Sequence, residues 1–180
     1  MSLFFLMGFA IYCERDNLLN SQRNDIEHLV NANENYFIQL NNQVKDGKIN
    51  LNDGYESARN LFNQYRYGEN KDGYIFAYDL NGTTIINPTK PQYVGKNGLE
   101  IKDSNGKFII KEMLDEVKKH PDQGFFYSYK WVNPISKQEE NKISYVKKIN
   151  GVDLFIGTGV YETSVNKIFY DNLKILLMLC

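Results

Sequence analysis

From Glu14 to Lys45 the apolar residues Leu19, Ile26, Val30, Phe37, Leu40 and Val44 recur at intervals of three, four or seven. That spacing makes one stripe on an amphipathic helix. No Pro or Gly interrupts the run before Gly47, which suits a helix C-terminus. At about 1.5 Å per residue such a helix is roughly 50 Å long, more than a small core needs. Leu51 to Tyr67 repeats the pattern, with Asn52 or Asp53 as cap and Tyr55, Ala58, Leu61, Phe62 and Tyr65 on the apolar face. Phe108 to Lys119 does so again through Ile109, Met113, Leu114 and Val117, and His120-Pro121 ends it. Glu162 to Leu179 is the last helical stretch.

Between these helices the period drops to two. In Gly73 to Pro88, GYIFAYDLNGTTIINP, Tyr74, Phe76 and Tyr78 fall on one strand face and Ile75 and Ala77 on the other. Neither face is polar, so this strand is expected to be central and covered on both sides. Asn81-Gly82 predicts a tight two-residue turn with φ > 0 at both positions. Thr89 to Asn105 reads as a long loop, packed down by Tyr93, Val94, Leu99 and Ile101. Three more strands follow: Gly124 to Val132, then Lys142 to Ile149 and Val152 to Val160 across a second Asn-Gly pair. Asn133 to Asn141 is a polar loop. Gly157 and Gly159 leave room for a ligand or another backbone. A hairpin and a three-stranded meander joined by a helix can form one sheet with its first and last strands side by side. The expected fold is α+β: a PAS-like antiparallel five-stranded sheet with a long N-terminal helix and flanking helices.

The ends change this picture. Leu3 to Cys13 and Ile175 to Cys180 are strongly apolar, yet each is too short to span a bilayer alone. They read as clipped pieces of two membrane helices. The expected division is residues 1–13 as a partial membrane helix and 14–172 as the domain, closed by 173–180 as the start of a second membrane helix. Within the domain, the long helix covers 14–46 and the PAS-like core 51–161, and the last helix starts at 162. The formal net charge of −1 gives no basic surface for nucleic acid. Cys13 and Cys180 form neither a disulfide framework nor a metal spacing.

Candidate chemistry is confined to aromatics and a few cations. Tyr74, Phe76 and Asn87 of the hairpin form one wall of a possible pocket, and Tyr127, Tyr129 and Trp131 share a face of the third strand. Lys142 and Tyr145 come from the fourth strand, and Arg66 sits in the turn before the hairpin. Pockets are mostly apolar with a few convergent polar groups, and two cations would offset the desolvation of one carboxylate. His28 and His120 are isolated, and no nucleophile–base pair is recognisable, which points to neither an enzyme nor a cofactor or metal site.

The pieces GYIFAYDLNGTTIINP, VGKNGLEIKDSNGKFIIKEML, DQGFFYSYKW and KISYVKKINGVDLFIGTGVY occur in that order over about half the chain. Together they resemble the single Cache sensor domain of bacterial chemoreceptors and sensor kinases. The resemblance implies an extracytoplasmic, membrane-anchored sensor that binds a small molecule, often a short carboxylic acid, on one side of the sheet. Many members carry His where this chain has Asn87, and Asn would instead bond an amide, a hydroxyl or an uncharged acid oxygen. The long helix could pair with its copy in a homodimer. A ligand-free interaction module and a soluble PAS-like enzyme are the alternative readings.

Overall fold

The computed structural model describes residues Leu3–Met178. Cys180, at the apolar end read as a second membrane segment, lies outside them. The first helix, α1, runs Leu3–Lys45 and α2 runs Leu51–Gln64. Strands β1 (Ile75–Asp79) and β2 (Thr84–Ile86) are followed by α3 (Ile109–Lys119). Then come β3 (Phe125–Val132), β4 (Glu139–Lys148), β5 (Leu154–Tyr161) and α4 (Glu162–Met178). The sheet order is β2-β1-β5-β4-β3, antiparallel throughout. As expected, β1 lies beside β5, with Phe76 opposite Gly157 and Tyr78 opposite Phe155. No described helix is long and apolar enough to cross a membrane.

Both faces of β1 are covered. Ile75 and Ala77 pack with Ile26, Val30 and Phe37 of α1 and with Ala58 and Phe62 of α2. Tyr74, Phe76 and Tyr78 pack with Ile109, Ile110, Met113 and Val117 of α3. The α1 stripe is therefore spent inside its own chain: Ile26, Val30, Phe37 and Leu40 are buried, and Phe37 stacks on Phe62 at 5.5 Å. Polar clasps hold α1 along its length. Glu34 accepts from Lys147 of β4 at 2.6 Å, and Arg15 donates to Glu162 and Asn166 of α4 at 2.8 and 2.9 Å.

Local details depart from the pattern. Asn50, not Asn52 or Asp53, caps α2 by accepting from the Asp53 N–H. Leu61 and Tyr65 stay exposed because α2 ends at Gln64 and turns only Gly54, Ala58 and Phe62 fully inward. Among the turn residues of both Asn-Gly pairs only the glycine takes positive φ, +84° at Gly82 and +70° at Gly151. The first turn is instead organised by Asp79. Its backbone carbonyl accepts from Gly82, and its Oδ1 accepts from Asn81 and Thr83. The result is a type I turn followed by a left-handed glycine, one of the longer hairpin connections. The long loop contains a short 3-10 turn, Pro91–Tyr93. Its far end is fixed by Asp103, whose buried carboxylate accepts backbone N–H bonds from Asn105, Lys107 and Lys130.

The strand glycines serve the sheet itself. A Cβ on Gly157 would lie 2.4 Å from Phe76 Cζ, and one on Gly159 would meet Ser144 and the Ile143 carbonyl. Gly157→Ala should therefore cost roughly 1–2 kcal/mol, the lower part of the overpacking range, because Phe76 can yield toward open space beside it. Urea unfolding checks this, and an unchanged midpoint would contradict the packing.

Candidate ligand site

The open space beside Phe76 is a cavity of about 10 Å³ between the sheet and α3. That is close to the least that holds one water. Tyr74, Phe76 and Tyr78 line it from the β1 side, Asn87 from the end of the hairpin, and Tyr129 and Trp131 from β3. Ile109, Ile110 and Met113 close it from α3. The strand contributions follow from the period of two: even-numbered residues of β1 and odd-numbered residues of β3 face α3.

Lys142 lies behind this wall. It is 1% exposed, on the α3 face of β4, directly between Tyr129 and Tyr161 in the sheet register. Its Nζ sits 3.9 Å from the Tyr74 ring centroid and 4.9 Å from that of Tyr161, a cation–π position on both rings. Among the described residues no acceptor makes a well-aligned hydrogen bond with it, although the Tyr74 phenol responds to its charge. Nearly every buried polar group in a folded protein is bonded, so this ammonium is an exception that asks for an anion.

The hydroxyls around it respond. Burial alone would raise the Tyr74 phenol, but the Lys142 charge, with close polar approaches from Lys142, Thr89 and Tyr161, brings it below its ordinary value. Burial holds the phenols of Tyr78, Tyr129 and Tyr161 up. Tyr129 meets Ser144 at 3.1 Å, and Tyr161 donates to the Val132 carbonyl at 3.0 Å. Asn87 Oδ1 is occupied by the Lys90 N–H and the Thr89 hydroxyl, both at 3.1 Å. Its amide nitrogen is thereby turned toward Tyr78. The arrangement supplies donors, an apolar floor and one buried cation, with no nucleophile or acid–base pair. Among the described residues no group of His, Cys, Asp and Glu is gathered as for a metal ion.

Three expected residues lie elsewhere. Tyr145 faces α1, because β4 sends Lys142, Ser144 and Val146 to one side and Tyr145 to the other. Its ring packs edge-on against Phe126 at 5.0 Å, and burial followed by Glu27 pushes its phenol up to about 12. Tyr127 is on the correct face but beyond the cavity, where it donates to Glu112 at 2.7 Å. Arg66 turns outward and donates to the carbonyls of Tyr65 and Phe62, because Tyr67 beside it turns inward to Thr158. The sequence reading did not place Tyr78, Tyr161, Ile109, Ile110 or Met113 at the site. Tyr78 has the same parity as Tyr74 and Phe76, so that signal was present.

The single Cache domain 2 family model matches residues 18–174. The sensor histidine kinase MctS of Rhizobium johnstonii is 35% identical over 95 residues, 53% of this chain and 20% of the relative. The methyl-accepting chemotaxis protein CtpM of Pseudomonas aeruginosa is 26% identical over 149 residues, 81% of this chain and 25% of that one. The chain thus spans about a quarter or less of the length of these curated relatives. A solved Cache chemosensory domain, described with the structural basis for its carboxylic acid recognition, superposes with a TM-score of 0.71 at 23% identity. It covers 81% of this chain, and 97% of that chain is covered in turn. A periplasmic sensor domain of a chemotaxis protein gives 0.70 at 24% identity, with 79% and 96% covered. At these identities the superpositions bear on the fold. With the family match extending over most of the residues and the sheet, flanking helices and cavity in place, the chain belongs to the single Cache domain 2 family, ligand-binding sensor modules of chemotaxis receptors and sensor kinases.

Proposed function

We propose that this chain is the extracytoplasmic sensing region of a longer, membrane-anchored signalling receptor, and that its ligand is a short carboxylic acid. The observation that carries this reading is the buried Lys142 ammonium, unmatched by any described acceptor, behind a cavity lined by tyrosines. A carboxylate is the acceptor it lacks, and the surrounding phenols and the Asn87 amide can fill the remaining oxygen lone pairs. The cavity holds about one water, so an organic acid enters only if Tyr74, Trp131 or the α3 side chains move. Met113 is the most adaptable of these. Such a movement is also what a sensor requires, since a ligand shifts an equilibrium only through its preference for one of two states.

The small cavity equally favours a second reading, an interaction module with no small ligand. A homodimer through α1 would then use its outer polar face, because the apolar stripe is already covered. Calorimetric titration with acetate, other short acids, amides and amino acids decides between them. The carboxylate reading expects saturable binding of at least one short monocarboxylate and none of the matching amide. Indifference to the whole panel would leave the interaction module.

A further inference from the structure

A second hollow lies just outside the cavity. It is an open groove of about 530 Å³ whose lining includes Arg66, Lys71, Lys90 and Lys137, and no described acidic residue. None of the four cations takes part in a salt bridge among the described residues. In a chain of net charge −1 this is a local concentration of positive charge. The groove shares its walls with the cavity. Asn87 lines the cavity and Pro88-Thr89 the groove, while Trp131 lines the cavity and Val132 the groove. Thr89 donates to Asn87 of the cavity wall at 3.1 Å, and the Tyr74 ring of that wall carries Lys142 on its face. One layer of side chains therefore separates the surface cations from the buried one.

Two loop tips supply half of the charge. Lys71 and Lys137 are the only described non-glycine residues with positive φ, +56° and +62°. A side chain held in that conformation is uncommon outside Asn, Asp and Gly. The far end of α3 is the opposite case. The hollow there is lined by Glu112, Asp115 and Glu116 with Lys119. The two ends of the cavity layer thus present opposite signs to an approaching solute.

We propose that the basic groove is the entrance through which an anionic ligand reaches the cavity, passing between the Pro88–Lys90 and Val132–Ile135 segments. The proposal rests on the carboxylate reading of the cavity. It assigns Arg66, Lys71, Lys90 and Lys137 to capture and delivery and leaves retention to the buried groups. Charged clefts of this kind raise the association rate of an opposite charge, and salt removes the effect.

The test is stopped-flow binding of acetate, followed by the fluorescence of Trp131, the only tryptophan of the chain. The variant carries Lys71→Asn, Lys90→Gln and Lys137→Asn, with Asn chosen where φ is positive. At low ionic strength the acetate association rate should fall about fivefold, with the dissociation rate little changed, and the two proteins should converge near 1 M salt. Lys90→Glu alone, which leaves both loop tips intact, should lower the rate in the same salt-dependent way. Equal association rates at low salt, with acetate still bound, would overturn the entrance and leave the cavity reading standing. Absence of binding by acetate and by every other short monocarboxylate of the titration panel would remove the cavity reading and the entrance with it.

Discussion

Replacing Lys142 with Met should make the protein more stable and a poorer ligand binder at once. Two effects oppose each other in the stability. The ammonium loses solvation on burial and gains no described hydrogen bond, an effective cost of several kcal/mol for an ion. Against that stand its positions over the Tyr74 and Tyr161 rings, each worth about 2 kcal/mol when desolvated. Methionine is similar in length, keeps a favourable contact with both rings through sulfur and brings no charge to desolvate. The net is a small gain, about 1 kcal/mol, or roughly 2–4 °C in Tm for a chain of this size. Affinity moves the other way. Losing one partner of a buried ion pair costs about 2–5 kcal/mol, so acetate should bind at least about 30-fold more weakly. Thermal unfolding and calorimetric titration of the same sample read both. A Tm well below that of the parent would show Lys142 to be a structural cation, and unchanged acetate affinity would remove it from the site. Opposite signs are the mark of a group kept for function at the expense of stability.

Much of the frame was legible because it follows from periodicity. An apolar residue at every position of Ile75–Tyr78 requires cover on both faces, and β1 has it. The apolar positions of Ile109–Val117 at helical spacing place α3 over the sheet. The site was less legible, for three separate reasons. Lys142 and Tyr145 stand three residues apart, so no regular strand can turn both to one face. Parity alone assigns Tyr145 to α1 once Lys142 is taken for the cavity. Arg66 lies between two tyrosines, but Tyr67 folds inward onto Thr158 and leaves Arg66 to the surface. The burial of Lys142 had no local signal at all. A lysine near a strand start is ordinarily solvated, and it is rings from other strands, those of Tyr74 and Phe76 on one side and Tyr161 of β5 on the other, that cover it. Turn geometry failed for a related reason: Asn81-Gly82 is the strongest short hairpin signal, but the Asp79 side chain outbid it with two backbone N–H bonds.

Asp72→Asn should both weaken the fold and separate the cavity from α4. Asp72 is 6% exposed and lies two residues before Tyr74. Its Oδ2 accepts from Ser164 of α4 at 2.5 Å and from the Asn133 amide at 3.2 Å. Asn133 follows the Trp131–Val132 edge of the cavity and also donates to Glu140, which accepts from Thr163. Two carboxylates are thereby gathered at the first turn of α4, where negative charge is favoured by the helix dipole. Hydrogen bonds to an ionised acceptor contribute about 1.5–3 kcal/mol each. Asparagine keeps the shape and one acceptor oxygen, so the loss should be about 2–3 kcal/mol, or roughly 4–12 °C in Tm. The same bonds link the segments that carry Tyr74 and Trp131 to the first turn of α4. Hydrogen exchange in the first two turns of α4 should respond to acetate in the parent and not in the variant. The acetate Kd should stay within about threefold, or ~0.7 kcal/mol, since no cavity group is altered. Ser164→Ala, which cuts only the α4 end of the route, should cost about 1.5–3 kcal/mol and give the same loss of response. An undiminished response in both variants would show that α4 is driven through β5 alone.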